Sequence, residues 1–307
     1  MKVGVRRALL LSHVIIVAIF TNTPAIGQTD SNDPFVRIKQ GDQGNLVALQ
    51  TSVPQYAGKE ITVDLVSAVH VASRSYYQAL NERFKKYDTV LYELIIPEGF
   101  SFDATTPAQV EKRDIASPIP VLQKMLTQAL GLSFQLEEIN YRAPNFVHAD
   151  FTTKEFAESM KMRGETFFSI IMRVIAAGLQ TDEATRDPAA EFNLLVTLLQ
   201  NPSKERELRL RRLLAKEILR SKSLIDSING TEGSTIITAR NDKALAVLRE
   251  EIKRGKRHFA IFYGGGHMGD IATKLENDFA LERVSTEWLD AWDLRPEALP
   301  VMNGKSD

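Results

Sequence analysis

The chain has no cysteine among its 307 residues, which excludes disulfides, thiolate-bound zinc, iron–sulfur clusters and thiol nucleophiles. Metal binding or nucleophilic chemistry must then rest on histidine, carboxylate, hydroxyl or amide groups. Histidine is itself scarce, with five in the whole chain. Net charge is also nearly absent, since 38 basic residues oppose 39 acidic ones for a formal charge of −1. That gives no electrostatic footprint for nucleic acid and leaves small molecules, peptides and proteins as partners. What is present, 44% apolar and 25% charged residues, excludes disorder, collagen and coiled coil and supplies a core large enough to fold alone.

At the N-terminus Lys2, Arg6 and Arg7 precede an apolar run from Ala8 to Phe20, followed by Pro24, Ala25 and Gly27. The run is short of the roughly 20 residues that span a bilayer, and small residues near Gly27 suit signal peptidase, so the stretch reads as a signal peptide cleaved after Gly27. An uncleaved anchor is the competing reading. Either one places the domain outside the cytoplasm, periplasmic or secreted. With no cysteine after the run, bacterial lipidation is excluded. Cleavage removes three cations, leaving 35 basic against 39 acidic residues and a mature charge of −4.

Residues 28–34 form a short polar tail before strands expected at Phe35–Lys39, Leu46–Ser52 and Ile61–Val69. The last is nearly all apolar, as a strand buried on both faces should be. Tyr77, Leu80, Phe84 and Tyr87, spaced by three and four, predict an amphipathic helix, with Tyr76, Tyr77 and Phe84 assigned to the core. Thr89–Ile96 predicts a second buried strand, and strand–helix–strand implies a βαβ unit with parallel strands. The far end repeats this grammar. A helix at Asn241–Lys253 and a strand at His258–Tyr263 lead into Gly264, Gly265, Gly266 and His267, and a helix follows with Met268, Ile271, Leu275 and Phe279 on one face. A last β-like stretch covers Leu281–Trp292.

The expected fold is therefore α/β, with a central, mostly parallel sheet formed by the two β-rich ends, 35–116 and 230–296, and a C-terminal tail at 297–307. Residues 117–229 read as a large helical insertion, with helices at Pro120–Leu132, Thr153–Gly178, Pro188–Gln200 and Ser203–Ile228. Thr152 and Glu155 form a capping-box pattern that sets His148 and Asp150 just before a helix start. The arginine-rich stretch Lys204–Lys222 reads as a solvated amphipathic helix packed on the domain, with peripheral contact to an anionic membrane surface as the other option.

His13 leaves with the signal peptide, so His70, His148, His258 and His267 remain. Three glycines before His267 let the backbone approach a ligand closely, and the next helix offers free N–H groups; the plain alternative is a turn that makes room for helix packing. His70 ends a strand, where it is either a core histidine or a metal ligand. Glu93 interrupts an apolar strand, where an unpaired charge would cost several kcal/mol. An arginine such as Arg240 neutralises it, or a metal or catalytic role retains it, or it stands at an exposed strand end. Asp64 raises the same question. Ligands of open parallel sheets sit beyond the carboxyl ends of the strands, where His70, Glu93 and His267 gather if those strands are neighbours.

A strand ending in His70, a helix, and a strand carrying Glu93 within YDTVLYEL resemble the opening of the TraB/PrgY/GumN family, which includes the TIKI metalloproteases. Arg240 and Asn241 starting a helix, the HFAIFY strand, and GGGH opening another helix are similar to that family's closing G-x-x-H motif. The resemblance spans roughly 60–100 and 236–292. One departure is Ser67, which stands where the family has glycine. The resemblance implies an α/β domain with a helical insert, a distant relation to erythromycin esterases and haem-binding ChaN-like proteins, and divalent-metal peptidase activity. By it, His70, His267 and Glu93 match the metal set, and Glu93, Arg240 and Asn241 the catalytic one. Gly264, Gly265, Gly266, Asp64, His148 and Asp150 are taken as supporting or substrate-contacting positions.

The expected chemistry is metal-assisted hydrolysis of a peptide or ester, with Mn, Co or Zn on the two histidines and Glu93 completing the set or taking a proton from bound water. Arg240 is suited to hold an oxyanion or to orient Glu93. Metal-free acid–base chemistry by a His/Glu pair uses the same residues. A different expectation is an envelope protein that binds haem or a small peptide signal without catalysis.

Overall fold

The computed structural model describes residues 35–100, 102, 127–166, 169, 196–197, 200–220, 229–230 and 232–296. The expected signal peptide, both tails, and the helices proposed for 170–178, 188–195 and 221–228 lie outside the described residues, as does most of Pro120–Leu132.

A seven-stranded mixed sheet is built from β1 (Val36–Gln40), β2 (Leu46–Ala57), β3 (Thr62–Ala68), β5 (Thr89–Tyr92), β7 (Phe146–His148), β8 (His258–Gly264) and β9 (Glu282–Asp293). Its order is β1-β2-β3-β8-β5-β7, with β9 along β2. The block β3-β8-β5-β7 is parallel, whereas β1, β3 and β9 all run antiparallel to β2. β8 lies between β3 and β5, so the two strands of the predicted βαβ unit are parallel but not adjacent. The carboxyl ends of β3, β5, β7 and β8 therefore open on one edge.

The apolar runs of β3, β5 and β8 are buried because both faces are covered. One face packs Val66, Val90 and Phe262 against α1 (Arg74–Phe84), through Tyr76, Tyr77, Leu80 and Phe84, and against Leu210 and Leu214 of a later helix. The other packs Leu65, Leu91 and Ile261 against α5 (Arg240–Lys253) and α6 (Met268–Phe279), through Leu245, Leu248, Ile271 and Leu275.

Three features of the middle region differ from the sequence reading. β7 is a strand inside the stretch expected to be helical, and it completes the central sheet; with three residues it is too short to show a period-2 pattern. A two-residue ladder pairs β4 (Val71–Ala72) with β6 (Ser133–Phe134), and Gln135 opens the short helix α2 (Gln135–Glu138) directly after it. Helix α3 (Thr153–Met162) starts at the expected capping box but ends well before Gly178, because Gly164 takes the left-handed conformation, φ 65°, that closes helices. The strand expected at Thr89–Ile96 likewise stops at Tyr92, which puts Glu93 just past the strand rather than inside it.

Helix α4 (Lys204–Arg220) turns two of its arginines inward to the protein, while Lys204 and Arg209 stay exposed. Arg211 donates to the carbonyls of Leu130 and Asp293, and Arg212 donates to that of Leu294. No helix among the described residues is long and apolar enough to cross a membrane.

Candidate functional site

Each parallel strand delivers one polar residue just past its carboxyl end: His70 after β3, Glu93 after β5, Asp150 after β7 and His267 after β8. Arg240 and Asn241 reach the same edge from the first turn of α5. A π-helical turn, Thr235–Ala239, runs directly into α5 and holds Arg240 there, and the Ile236 carbonyl accepts from Arg240 Nη1 at 3.4 Å.

Arg240 is the hub. Its Nε donates to Asp150 Oδ1 at 2.9 Å and its Nη2 to Asp150 Oδ2 at 2.5 Å, a bidentate pair, while Nη2 also reaches Glu93 Oε1 at 2.7 Å. Its side chain is 4% exposed and that of Asp150 0%. Burial works against the Arg240 charge, and Asp150 and Glu93 outweigh it, raising its pKa. With every interaction directed inward, Arg240 orients Glu93 and is not open to an oxyanion.

Glu93 is held at both oxygens, because Oε2 accepts the Gly264 N–H at 2.7 Å. Gly264 permits that approach, since a Cβ there would stand 3.3 Å from Oε2. Burial pushes the Glu93 carboxyl up, but Arg240, His267 and His70 together hold it well below the usual carboxylate range. Glu93 is therefore an ionised anchor and a poor proton acceptor.

His267 ends the short 3₁₀ turn Gly265–His267, with Tyr263 edge-on to its ring at 5.3 Å. Its Nδ1 lies 2.7 Å from Asn241 Oδ1, while Asn241 Nδ2 donates to Asp270 Oδ2 at 2.8 Å and to the His267 carbonyl at 3.3 Å. Both partners of Nδ2 are pure acceptors, so the amide orientation is fixed and Nδ1 must carry the proton. The other ring nitrogen, Nε2, faces Glu93 Oε1 at 3.5 Å.

His70 completes the group. Burial drives its imidazole below the ordinary value, Glu93 pulls it back up, and Arg240 and His267 push it lower. Sequence reasoning missed its neighbour Gln135, whose backbone N–H donates to the His70 carbonyl at 2.9 Å and whose Nε2 lies 2.8 Å from Tyr141 Oη. Gln135 Oε1 is a buried acceptor without a hydrogen-bond partner among the described residues, and the Gln135 side chain works against burial by raising the His70 pKa. The contact is brought about by the β4–β6 ladder, which is too short to leave a trace in the sequence.

The remaining positions separate. Asp64 is not part of this edge: it lies near the start of β3, where Gln55, Tyr87 and Arg83 bind its carboxylate in a structural network. A charge there is tolerated because three donors surround it. His148, at the end of β7, places Nε2 2.7 Å from the Leu94 carbonyl and packs on Tyr92, so that nitrogen is committed to the backbone. Ser67 is fully buried, and its Oγ would stand 3.2 Å from a Cβ on Gly265. The tight junction of strand and turn is thus preserved by the glycine on the opposite side. Gly266 sits inside the same turn.

Among the described residues no group of three or more His, Asp or Glu side chains is closed around a point fit for a metal ion. Two donors come near it, since 3.5 Å between Nε2 of His267 and Oε1 of Glu93 matches two ligands about 2.1 Å from one cation. The amide behind His267 is also typical of a ligating imidazole. Against this, Arg240 already occupies one lone pair of the same oxygen and sets a permanent positive charge beside it. The set is two donors in place, with His70 as a third that is not closed on them.

Comparison with known proteins finds no matching family model, no matching curated protein and no matching solved structure.

Proposed function

We propose that this chain is an exported, periplasmic or secreted hydrolase of the TraB/PrgY/GumN and TIKI kind, cutting a peptide or ester through His70, Glu93 and His267. The observation that carries it is Nε2 of His267, whose Nδ1 is engaged by Asn241, standing 3.5 Å from an ionised carboxylate at the carboxyl edge of a parallel sheet. A water bonded to Nε2 gives its proton to that nitrogen as its oxygen attacks the substrate carbonyl. Glu93, on the Nε2 side of the ring, stabilises the imidazolium that forms, while Asn241 takes the place behind Nδ1 that a carboxylate holds in a hydrolytic triad. The proton then passes to the leaving amine or alkoxide as the acyl bond breaks, and His70, just past the adjoining strand, is placed to assist that transfer.

A second reading rests on the same 3.5 Å. A divalent ion, Mn, Co or Zn, would be held by His267, Glu93 and His70, and when bound it would supply hydroxide by lowering the pKa of its water. The chain's own contribution is unchanged: Arg240 and Gly264 keep Glu93 charged and aimed, and Asn241 keeps Nε2 free.

The test is hydrolysis of a panel of peptides and esters by the purified chain beginning at Gln28, beside Glu93→Gln and His267→Gln. Loss of about 10²-fold or more in both variants is expected. Full activity in either, or no turnover of any substrate by the wild type, overturns the proposal. Stoichiometric metal with loss of activity on chelation selects the second reading, and a Soret absorbance band in an inactive chain selects haem binding.

A further inference from the structure

The Asn241 amide can be inserted beside His267 in two ways, and only one leaves Nε2 bare. With Oδ1 towards the ring, Nδ1 carries the proton; with Nδ2 towards it, Nδ1 becomes the acceptor and the proton moves to Nε2, where it blocks the face opposite Glu93. What selects between these states lies outside the proposed catalytic and metal-binding residues. Asp270 stands in the first turn of α6, three residues after His267, and its Oδ2 accepts from Asn241 Nδ2 at 2.8 Å. Lys274, one turn further along, donates to the same Oδ2 at 2.8 Å and to Asp242 Oδ1 at 2.7 Å. The Asp270 carboxylate is thereby held still and can offer only an acceptor to Asn241.

We infer that Asp270 is a positioning residue: through Asn241 it locks His267 in the Nδ1–H tautomer and so keeps Nε2 available at the site. This builds on the proposed hydrolase, but the tautomer itself is independent of any activity. Stability is a poor explanation for the arrangement. Asp270 and Lys274 are 27% and 21% exposed, and ion pairs that solvent reaches contribute little to folding. The His267 carbonyl, at 3.3 Å, is a longer and weaker second partner for Nδ2, so the lock should loosen but not vanish when Asp270 is removed.

The experiment is ¹⁵N NMR of the full mature chain with labelled histidine, with the His267 signals assigned by difference against His267→Gln. Wild type should show one tautomer, protonated at Nδ1. Asp270→Ala should give a mixture with a substantial Nε2–H population, while Asp270→Asn, which still offers Oδ1 to Asn241 and Lys274, should restore the wild-type pattern. In a hydrolytic assay Asp270→Ala should lower kcat about tenfold, with KM little changed. Should the alanine variant not fold, Asp270→Ser, too short to reach Asn241, takes its place. An unchanged His267 tautomer in the shortened variant, or the same change in Asp270→Asn, overturns the inference. A missing activity with the tautomer behaviour intact overturns only the hydrolase.

Discussion

Nε2 of His267 and Oε1 of Glu93 stand 3.5 Å apart, each fixed from behind by a residue of the first turn of α5, Asn241 for the imidazole and Arg240 for the carboxylate. This arrangement separates the chemistry from its surroundings. Glu93→Gln keeps shape and acceptor but removes the charge that would stabilise an imidazolium, so hydrolysis should fall by about 10²-fold or more. His148→Gln, at the same sheet edge but bonded to Leu94, should leave kcat/KM within about twofold. Parallel assays on the best substrate decide the point, and a large effect of His148→Gln would relocate the site towards β7.

Asp150 and Arg240 form a solvent-excluded bidentate pair; removing Arg240 strands the Asp150 carboxylate, and removing Asp150 leaves the guanidinium with Glu93 as its one buried counter-charge among the described residues. Asp150→Ala should cost about 3–5 kcal/mol in urea unfolding. Arg240→Ala should cost a similar amount, and the double variant markedly less than their sum. Arg240→Lys should not rescue, because a lysine cannot reproduce the two parallel bonds to Asp150 while reaching Glu93. A cost below 1 kcal/mol for Asp150→Ala would mean that water enters this pocket freely.

The parts of this architecture legible in the sequence are those that local rules encode. The apolar runs of β3, β5 and β8 announce burial on both faces, the spacing of Tyr77, Leu80 and Phe84 announces α1, and Thr152 with Glu155 announces the start of α3. His70, Glu93 and His267 stood out because a charge or imidazole next to a buried strand needs an explanation, Arg240 as a cation able to neutralise Glu93, and Asn241 only through the resemblance of the helix start. β7 was not legible, since three residues carry no period. Asp64 was misplaced because burial of a charge says that partners exist without saying where. Gln135 and Asp270 were missed because their meaning is relational: each is an ordinary helix residue until the fold sets it beside an imidazole or an amide.

Gly264 separates backbone freedom from space. Its φ of −57° suits any residue, so Gly264→Ala should fold with a stability change below about 1 kcal/mol. The new methyl would stand 3.3 Å from Glu93 Oε2, crowding the oxygen that the Gly264 N–H holds. Activity should therefore drop while unfolding midpoints hold. Gly265→Ala is expected to behave differently, because its Cβ would meet Val36 Cγ2 at 3.0 Å and Ser67 Oγ at 3.2 Å. Overpacking there should destabilise by about 1–3 kcal/mol. Equal stability losses in the two variants would argue against this division.

The capping box of α3 offers a test of charge by pH. Glu155 accepts the Thr152 N–H at 2.7 Å and pairs with Lys243 at 2.7 Å. Burial pushes its carboxyl up, but Lys243 and Thr152 more than offset this and lower it from the ordinary 4.5. Because the folded value is depressed, the ionised form contributes stability that is complete above the unfolded value and disappears as pH falls through the folded one. Glu155→Gln keeps a capping acceptor and discards the charge. The wild type should therefore be more stable than this variant by about 0.5 kcal/mol from pH 7 down to the ordinary carboxylate range. Below that range the gap should close. Urea unfolding of both proteins across pH 3–7 measures it, and a gap that persists at the acid end would show that geometry, and not charge, sets the contribution of this cap.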